Sequence, residues 1–141
     1  MSNYLTGIES KCSEYAYEIK SHANKSTHIA NNPNKYKVRQ YDMDEVFGDR
    51  VSKCDYLVLN DDKKRAYFIE LKTESNVEEA PEQIETSRNL LKNEIPKYSH
   101  HLRIVANLPN PPRIKMYIIA EWQIDHKHAE FFPNGKCVEN V

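Results

Sequence analysis

Three charged side chains stand where the surrounding apolar pattern leaves little room for charge. In Cys54-Asp55-Tyr56-Leu57-Val58-Leu59 a carboxylate opens an apolar run, and in Tyr67-Phe68-Ile69-Glu70-Leu71-Lys72 an acid and a base take alternate positions at the end of another. Strand side chains alternate faces, so Glu70 and Lys72 share one face while Ile69 and Leu71 take the other. A lone carboxylate there is costly to desolvate unless it is paired or holds a cation. The turn NDDKK between the two runs predicts a hairpin that lets Asp55 approach Glu70. Two carboxylates at one place repel until a proton or a metal neutralises them. A hard divalent cation, Mg²⁺ or Mn²⁺, answers that repulsion with oxygen ligands, and Lys72 then lies near the attacking water or a substrate phosphate. The set suits hydrolysis of a phosphodiester: a metal polarises the phosphoryl oxygen and acidifies water, and an ammonium stabilises the charge that develops.

The elements that must position these groups follow from periodicity. Leu5, Ile8, Cys12, Tyr15, Ala16 and Ile19 recur at three- and four-residue spacing and predict a helix over Tyr4 to Ala23. His22 to Asn34 reads as a loop, Lys35–Tyr41 as a short strand, and a turn containing Gly48 follows. Val51–Leu59 and Arg65–Lys72 are the hairpin strands. A second helix opens at Asn76 or Glu78, with Val77, Ala80, Ile84, Leu91 and Ile95 on one side; Pro81 is tolerated in its first turn and Pro96 helps to end it. His101–Leu108 is the next strand, then a PNPP loop. For Arg113–Trp122 a strand is preferred, although Ile114, Tyr117, Ile118 and Trp122 would also make a helical face. The expected fold is α/β or α+β, with a central mixed sheet flanked by helices in the order helix, strand, strand, strand, helix, strand, then a less regular C-terminal strand region.

Residues 4–108 resemble the PD-(D/E)xK nuclease superfamily, the restriction-endonuclease-like fold that also includes archaeal Holliday-junction resolvases. The resemblance rests on that element order and on Asp55, fourteen intervening residues, then Glu70-Leu71-Lys72. It implies that Asp55 and Glu70 bind the metal, that the carbonyl of Leu71 joins them, and that Lys72 assists the attacking water. The proline that often precedes the Asp is here Cys54, at a position that supplies no ligand. It also implies an acid on the first helix and a Gln on the helix after the Glu-x-Lys strand. Glu9, about 70° from the centre of the apolar stripe, fits the first better than Glu14 or Glu18. Gln83 fits the second, with Arg88 as another candidate. Glu9-Ser10-Lys11 and Glu18-Ile19-Lys20 repeat the Glu-x-Lys spacing, but on a predicted helix that spacing turns the side chains apart.

With 141 residues the chain has the length of one domain, residues 1–141. It is 39% hydrophobic and 29% charged, and its nine Tyr, four Phe and one Trp argue against disorder. No stretch approaches the roughly 20 apolar residues of a membrane span, and MSNYLTGIESKC has neither the basic flank nor the apolar core of a signal, which predicts an intracellular, cytoplasmic protein without a membrane partner. Three widely spaced cysteines, Cys12, Cys54 and Cys137, read as reduced thiols. Cys54 reads as a small buried strand residue.

A net charge of −1 gives no global basic field. Between Ile19 and Tyr41, however, there is no acid, and Lys20, Lys25, Lys35, Lys37 and Arg39 offer a surface to a phosphate backbone. Tyr4, Tyr15, Tyr17, Tyr36 and Tyr41 either stack on bases or pack the fold. His126 and His128, on one face of an expected strand, make a zinc site with Cys137 conceivable, although one ligand short. His100 and His101 alternate and so cannot face one site. With only Gly7, Gly48 and Gly135 there is no glycine-rich phosphate loop. The expectation is a metal-dependent nuclease, acting on DNA by resemblance, with a homodimer or larger protein partner supplying further surface. The alternative is a catalytically inactive module of the same fold: an immunity protein, antitoxin or accessory subunit.

Overall fold

A computed structural model of the protein describes residues 4–5, 11–12, 16–49 and 51–141. In chain order they form β1 (Lys11–Cys12), β2 (Glu18–Ala23), β3 (Ser26–Asn31), β4 (Val38–Asp42), α1 (Met43–Phe47), β5 (Tyr56–Asn60) and β6 (Arg65–Thr73), then a 3₁₀ segment (Glu74–Glu79), α2 (Ala80–Leu91), β7 (Ser99–Asn107), α3 (Arg113–Asp125), β8 (Ala129–Phe132) and β9 (Lys136–Asn140). The fold is mixed α/β. One sheet has six strands in the order β1-β4-β5-β6-β7-β8, and a second has three in the order β2-β3-β9.

In the larger sheet β4, β5 and β6 form an antiparallel meander, while β6–β7 and β7–β8 are parallel. Parallel neighbours need a crossover, and α2 and α3 supply the two. Leu57, Leu59, Ala66, Phe68, Leu102 and Ile104 pack on one face with Val77, Ala80, Ile84, Leu91, Ile119 and Trp122. On the other face Val58, Tyr67, Ile69, Leu71 and Val105 pack with Ile19, Ala30, Cys137 and Val141. The six-stranded sheet is therefore covered on both sides, by helices and by the small sheet, which is why β5 and β6 read as nearly unbroken apolar runs.

The hairpin, β4, β7 and the apolar face of α2 follow the sequence expectation, and all five residues placed on that face of the second helix are buried. Two elements differ. The predicted first helix is overturned at 11–12 and 18–23, which are strands. Glu18–Ala23 alternates in burial, with Ile19 and Ser21 inward, and Asn24 and Lys25, both at positive φ, turn it into β3. A two-residue turn of this kind joins strands, so part of the segment expected to be a loop is β3. Tyr4, Leu5, Ala16 and Tyr17, also expected in the first helix, are in neither helix nor strand, and its other residues, with Glu9 and Tyr15, lie outside the described residues.

Arg113–Trp122, expected as a strand, is α3, because a parallel β8 has to be reached across the sheet. Its inward side carries Ile119 and Trp122, while Ile114, Tyr117 and Ile118 of the alternative helical face are exposed. No helix among the described residues is long and apolar enough to cross a membrane.

Candidate active site

Glu70 lies near the carboxyl end of β6, on the helix-covered face, and is 2% exposed. Asp55 comes to it by extending the antiparallel ladder past the start of β5. Its backbone N–H donates to the Ile69 carbonyl at 3.0 Å, and its Oδ2 accepts the Leu71 N–H at 2.8 Å. The Asp55 carbonyl in turn accepts the N–H of Met43 at the start of α1, 3.0 Å away. The Asp55 carboxyl lies close enough to Glu70 to act on it both by hydrogen bonding and by charge. Burial, then the bond to Asp55 and its charge, push the Glu70 carboxyl up to about 10, against the opposing pull of Lys72. The rise favours the protonated form of Glu70, and a proton held between the two groups is one answer to the repulsion of adjacent carboxyl groups.

Lys72, next on the same face, places Nζ 3.7 Å from Glu70 Oε2 and 3.8 Å from Glu79 Oε2. Helix α2 closes the site from above. Ser87 Oγ accepts the Cys54 N–H at 3.0 Å and donates to the Gln83 carbonyl at 3.1 Å. Glu79, which caps the start of α2, and Gln83 and Ser87 within it are spaced four residues apart, so they form one stripe along the helix. Glu79 touches Lys72 at one end and Ser87 holds the residue before Asp55 at the other. Gln83 lies between them, and its Oε1 is buried without a hydrogen-bond partner. Ser87→Ala should strand the buried Cys54 amide and cost about 1–2 kcal/mol in urea unfolding; an unchanged midpoint would show that the amide finds another acceptor.

The sequence-predicted Asp55, Glu70 and Lys72 are therefore brought together, with Gln83 on the helical stripe between Glu79 and Ser87. The Leu71 carbonyl lies at the same strand end and accepts from Asn24 Nδ2 at 2.9 Å, which uses one of its two lone pairs. Arg88 is elsewhere: it bonds Glu85 and the Nδ1 of His100, and His100 pairs with Ala66, four residues or about 13 Å along β6 from Glu70. Cys54 is fully buried and burial pushes its thiol well up, so it is no nucleophile. Glu79 and Ser87 were not singled out from sequence, although their four-residue spacing around Gln83 was readable there.

The five basic residues divide. Lys25 lies in the β2–β3 turn, beside Asn24 and beside Ser26, whose Oγ donates to the Lys72 carbonyl at 3.1 Å. Lys37 and Arg39 are at the opposite end of the sheet, by the β5–β6 turn, where Lys37 N–H bonds Asp62 and the Arg39 guanidinium grips both oxygens of Asp61 at 2.7 and 2.9 Å. Lys20 and Lys35 are exposed, on β2 and in the β3–β4 loop. Tyr41 is buried and Tyr17 exposed, while Tyr36 carries Lys63 over its ring.

The expected strand at His126–His128 is a turn, so the two imidazoles do not share a strand face with one another. His126 bonds the Trp122 carbonyl and faces Glu85, whereas His128 stacks on His101. Cys137 instead pairs across strands with His28, and the two approach Glu139, so that donor atoms of all three lie within 4.8 Å of one another. Sulfur, nitrogen and oxygen donors would suit a borderline cation such as zinc. The group already balances itself, however. Glu139 is held down to about 2 against burial by hydrogen bonds from His28 and Arg103 and by the Arg103 charge, while burial and Glu139 push the Cys137 thiol up. With 108 residues between His28 and Cys137, no local spacing announced this cluster. Comparison of the chain with family models, with curated proteins and with solved structures finds no match in any of the three.

Proposed function

We propose that the protein is a metal-dependent nuclease that hydrolyses phosphodiester bonds, with DNA as its substrate. The observation that carries this is the buried Glu70 with Asp55 alongside, bonded to the next residue of the strand, and an ammonium 3.7 Å from Glu70. With the short α1 between β4 and β5 and the 3₁₀ segment before α2 set aside, β4, β5, β6, α2 and β7 follow one another as the expected core would, which supports a restriction-endonuclease-like fold.

The donor set fits Mg²⁺ or Mn²⁺: two carboxylates, with the Leu71 carbonyl beside them, are hard oxygen ligands. A cation held there would polarise the scissile phosphoryl oxygen and lower the pKa of the attacking water. Lys72 stabilises charge on the phosphoryl oxygens, and Glu79 keeps its ammonium on the open side of Glu70. Gln83 offers its unpartnered Oε1 as an acceptor that orients the water. So small a domain reads little sequence, and a homodimer or a larger partner would extend the contact.

The test is cleavage of single-stranded, double-stranded and branched DNA and of RNA, with Mg²⁺, Mn²⁺ or EDTA. Wild type should cut DNA only with metal, and Asp55→Ala and Glu70→Ala should not cut. If nothing is cut and calorimetry detects no metal, the fold serves as an inactive protein-binding or regulatory module instead.

A further inference from the structure

We propose that the cavity at the carboxyl ends of β6 and β7 is a phosphate subsite that seats the nucleotide beside the scissile bond, with Lys25 as its cationic binding residue. This rests on the nuclease reading above. The cavity is about 470 Å³, in the size range of small-ligand pockets, and is lined by Asn24, Lys25, Thr73, Asn107 and Pro109. Thr73 and Asn107 are register partners, the last pair of the parallel β6–β7 ladder. The space outside the carboxyl ends of parallel strands is where open α/β sheets bind ligands. Thr73 directly follows Lys72, so a strand of nucleic acid lying across the catalytic groups reaches this cavity over the end of β6.

Three features make it a built site. The β2–β3 turn is fastened to the catalytic strand, by Asn24 to the Leu71 carbonyl and by Ser26 to the Lys72 carbonyl. Gly135 backs the turn closely: a Cβ there would meet Asn107 Cβ at 3.3 Å and the Lys25 carbonyl at 3.4 Å. Lys25 itself has φ 62°, a left-handed position where such turns favour Gly, so the turn carries a strained lysine where glycine would be easier. Like other exposed lysines Lys25 makes no ion pair among the described residues, and what sets it apart is its place on the wall of this cavity. A cavity with Asn24, Thr73 and Asn107 on its walls and an ammonium outside any ion pair at its rim recognises an anion, and on this strand end the anion is a phosphate of the substrate.

The strain makes the test clean. Lys25→Gly suits the backbone, so its melting temperature should equal or exceed that of wild type; Lys25→Asn, which also tolerates the turn, is the second variant. Thymidine 5′-phosphate added to the wild-type chain should shift the amide resonances of Asn24, Lys25, Thr73 and Asn107, and both variants should lose these shifts. DNA affinity should fall about fivefold in both, with the slope of log affinity against log salt reduced by about one. Lys92→Ala, an exposed lysine at the end of α2, serves as the control without effect. Binding of thymidine 5′-phosphate that is absent in wild type, or unaltered in Lys25→Gly, overturns the subsite even if Asp55 and Glu70 prove essential for cutting. Shifts that depend on Lys25 in a protein that cuts nothing would leave the anion site standing and remove the nuclease.

Discussion

Glu70→Gln is expected to abolish metal-dependent cleavage, on the order of 10³-fold or more, and at the same time to stabilise the fold at neutral pH. Both effects come from one group. Burial and the neighbouring Asp55 raise the Glu70 carboxyl from 4.5 to about 10 on folding, so the folded chain binds a proton there that the unfolded chain has released. The sign follows from linkage: stability present below about pH 4.5 is lost progressively as the pH rises toward 10, and by pH 7 the loss is roughly 3 kcal/mol. Glutamine has the same shape, donates the same hydrogen bond to Asp55 and never ionises. Urea midpoints between about pH 5 and pH 9 should therefore separate, the variant gaining on the wild type at each step. A gap that stays constant with pH would mean that Glu70 is ionised in the folded protein. The same proton predicts that cation binding at pH 7 releases about one proton, seen as a buffer-dependent heat in calorimetry; equal heats in buffers of different ionisation enthalpy would contradict the displacement.

Arg103→Ala should be the most damaging single change on the opposite face of the sheet. Arg103 is 6% exposed and holds both oxygens of Glu139, at 2.8 and 3.0 Å, and the carbonyl of His128 at 2.7 Å. Truncation leaves the Glu139 carboxylate largely buried beside His28 without its main counter-charge. Breaking one side of such a pair costs about 3–5 kcal/mol, most of it from the charge left behind; for a chain of this length the melting temperature should fall by roughly 10–17 °C. If that is the cause, Arg103→Met combined with Glu139→Leu, which removes both charges and keeps much of the volume, should recover most of the loss. A double variant as unstable as the single one would instead assign the cost to the lost backbone contacts of the guanidinium. Because Glu139 is depressed to about 2, the wild-type contribution is present above about pH 4.5 and disappears as the pH falls toward 2.

Much of the candidate active site was legible because its parts lie on elements whose local patterns are strong. The alternation of Tyr67–Lys72 put Glu70 and Lys72 on one face, the NDDKK turn set the hairpin that brings Asp55 alongside, and the stripe of Val77, Ala80, Ile84 and Leu91 told which side of α2 meets the sheet and hence where Gln83 lies. Each of these depends on contacts only a few residues away or on a periodicity that burial enforces. Where two periodicities fitted the same residues, local pattern was insufficient. Ile19 belongs to a helical stripe in the sequence and to an alternating strand in the fold, because β2 finds its partner through the Asn24–Lys25 turn. Arg113–Trp122 suits either structure in isolation and is a helix because β8 runs parallel to β7.

The tertiary structure alone decided which charges meet. Lys25, Lys37 and Arg39 are near neighbours along an acid-free segment, yet the hairpin carries Lys25 to the catalytic end of β6 and β4 leaves the other two beside Asp61 and Asp62. His28, Cys137 and Glu139 are far apart in the chain and meet because β9 pairs in parallel with β3. The sequence by itself determined which faces are apolar, since transfer from water depends on the side chain. The register of distant strands determined which polar groups share a buried space, because pairing energy is nearly the same for many partners until the whole core chooses among them.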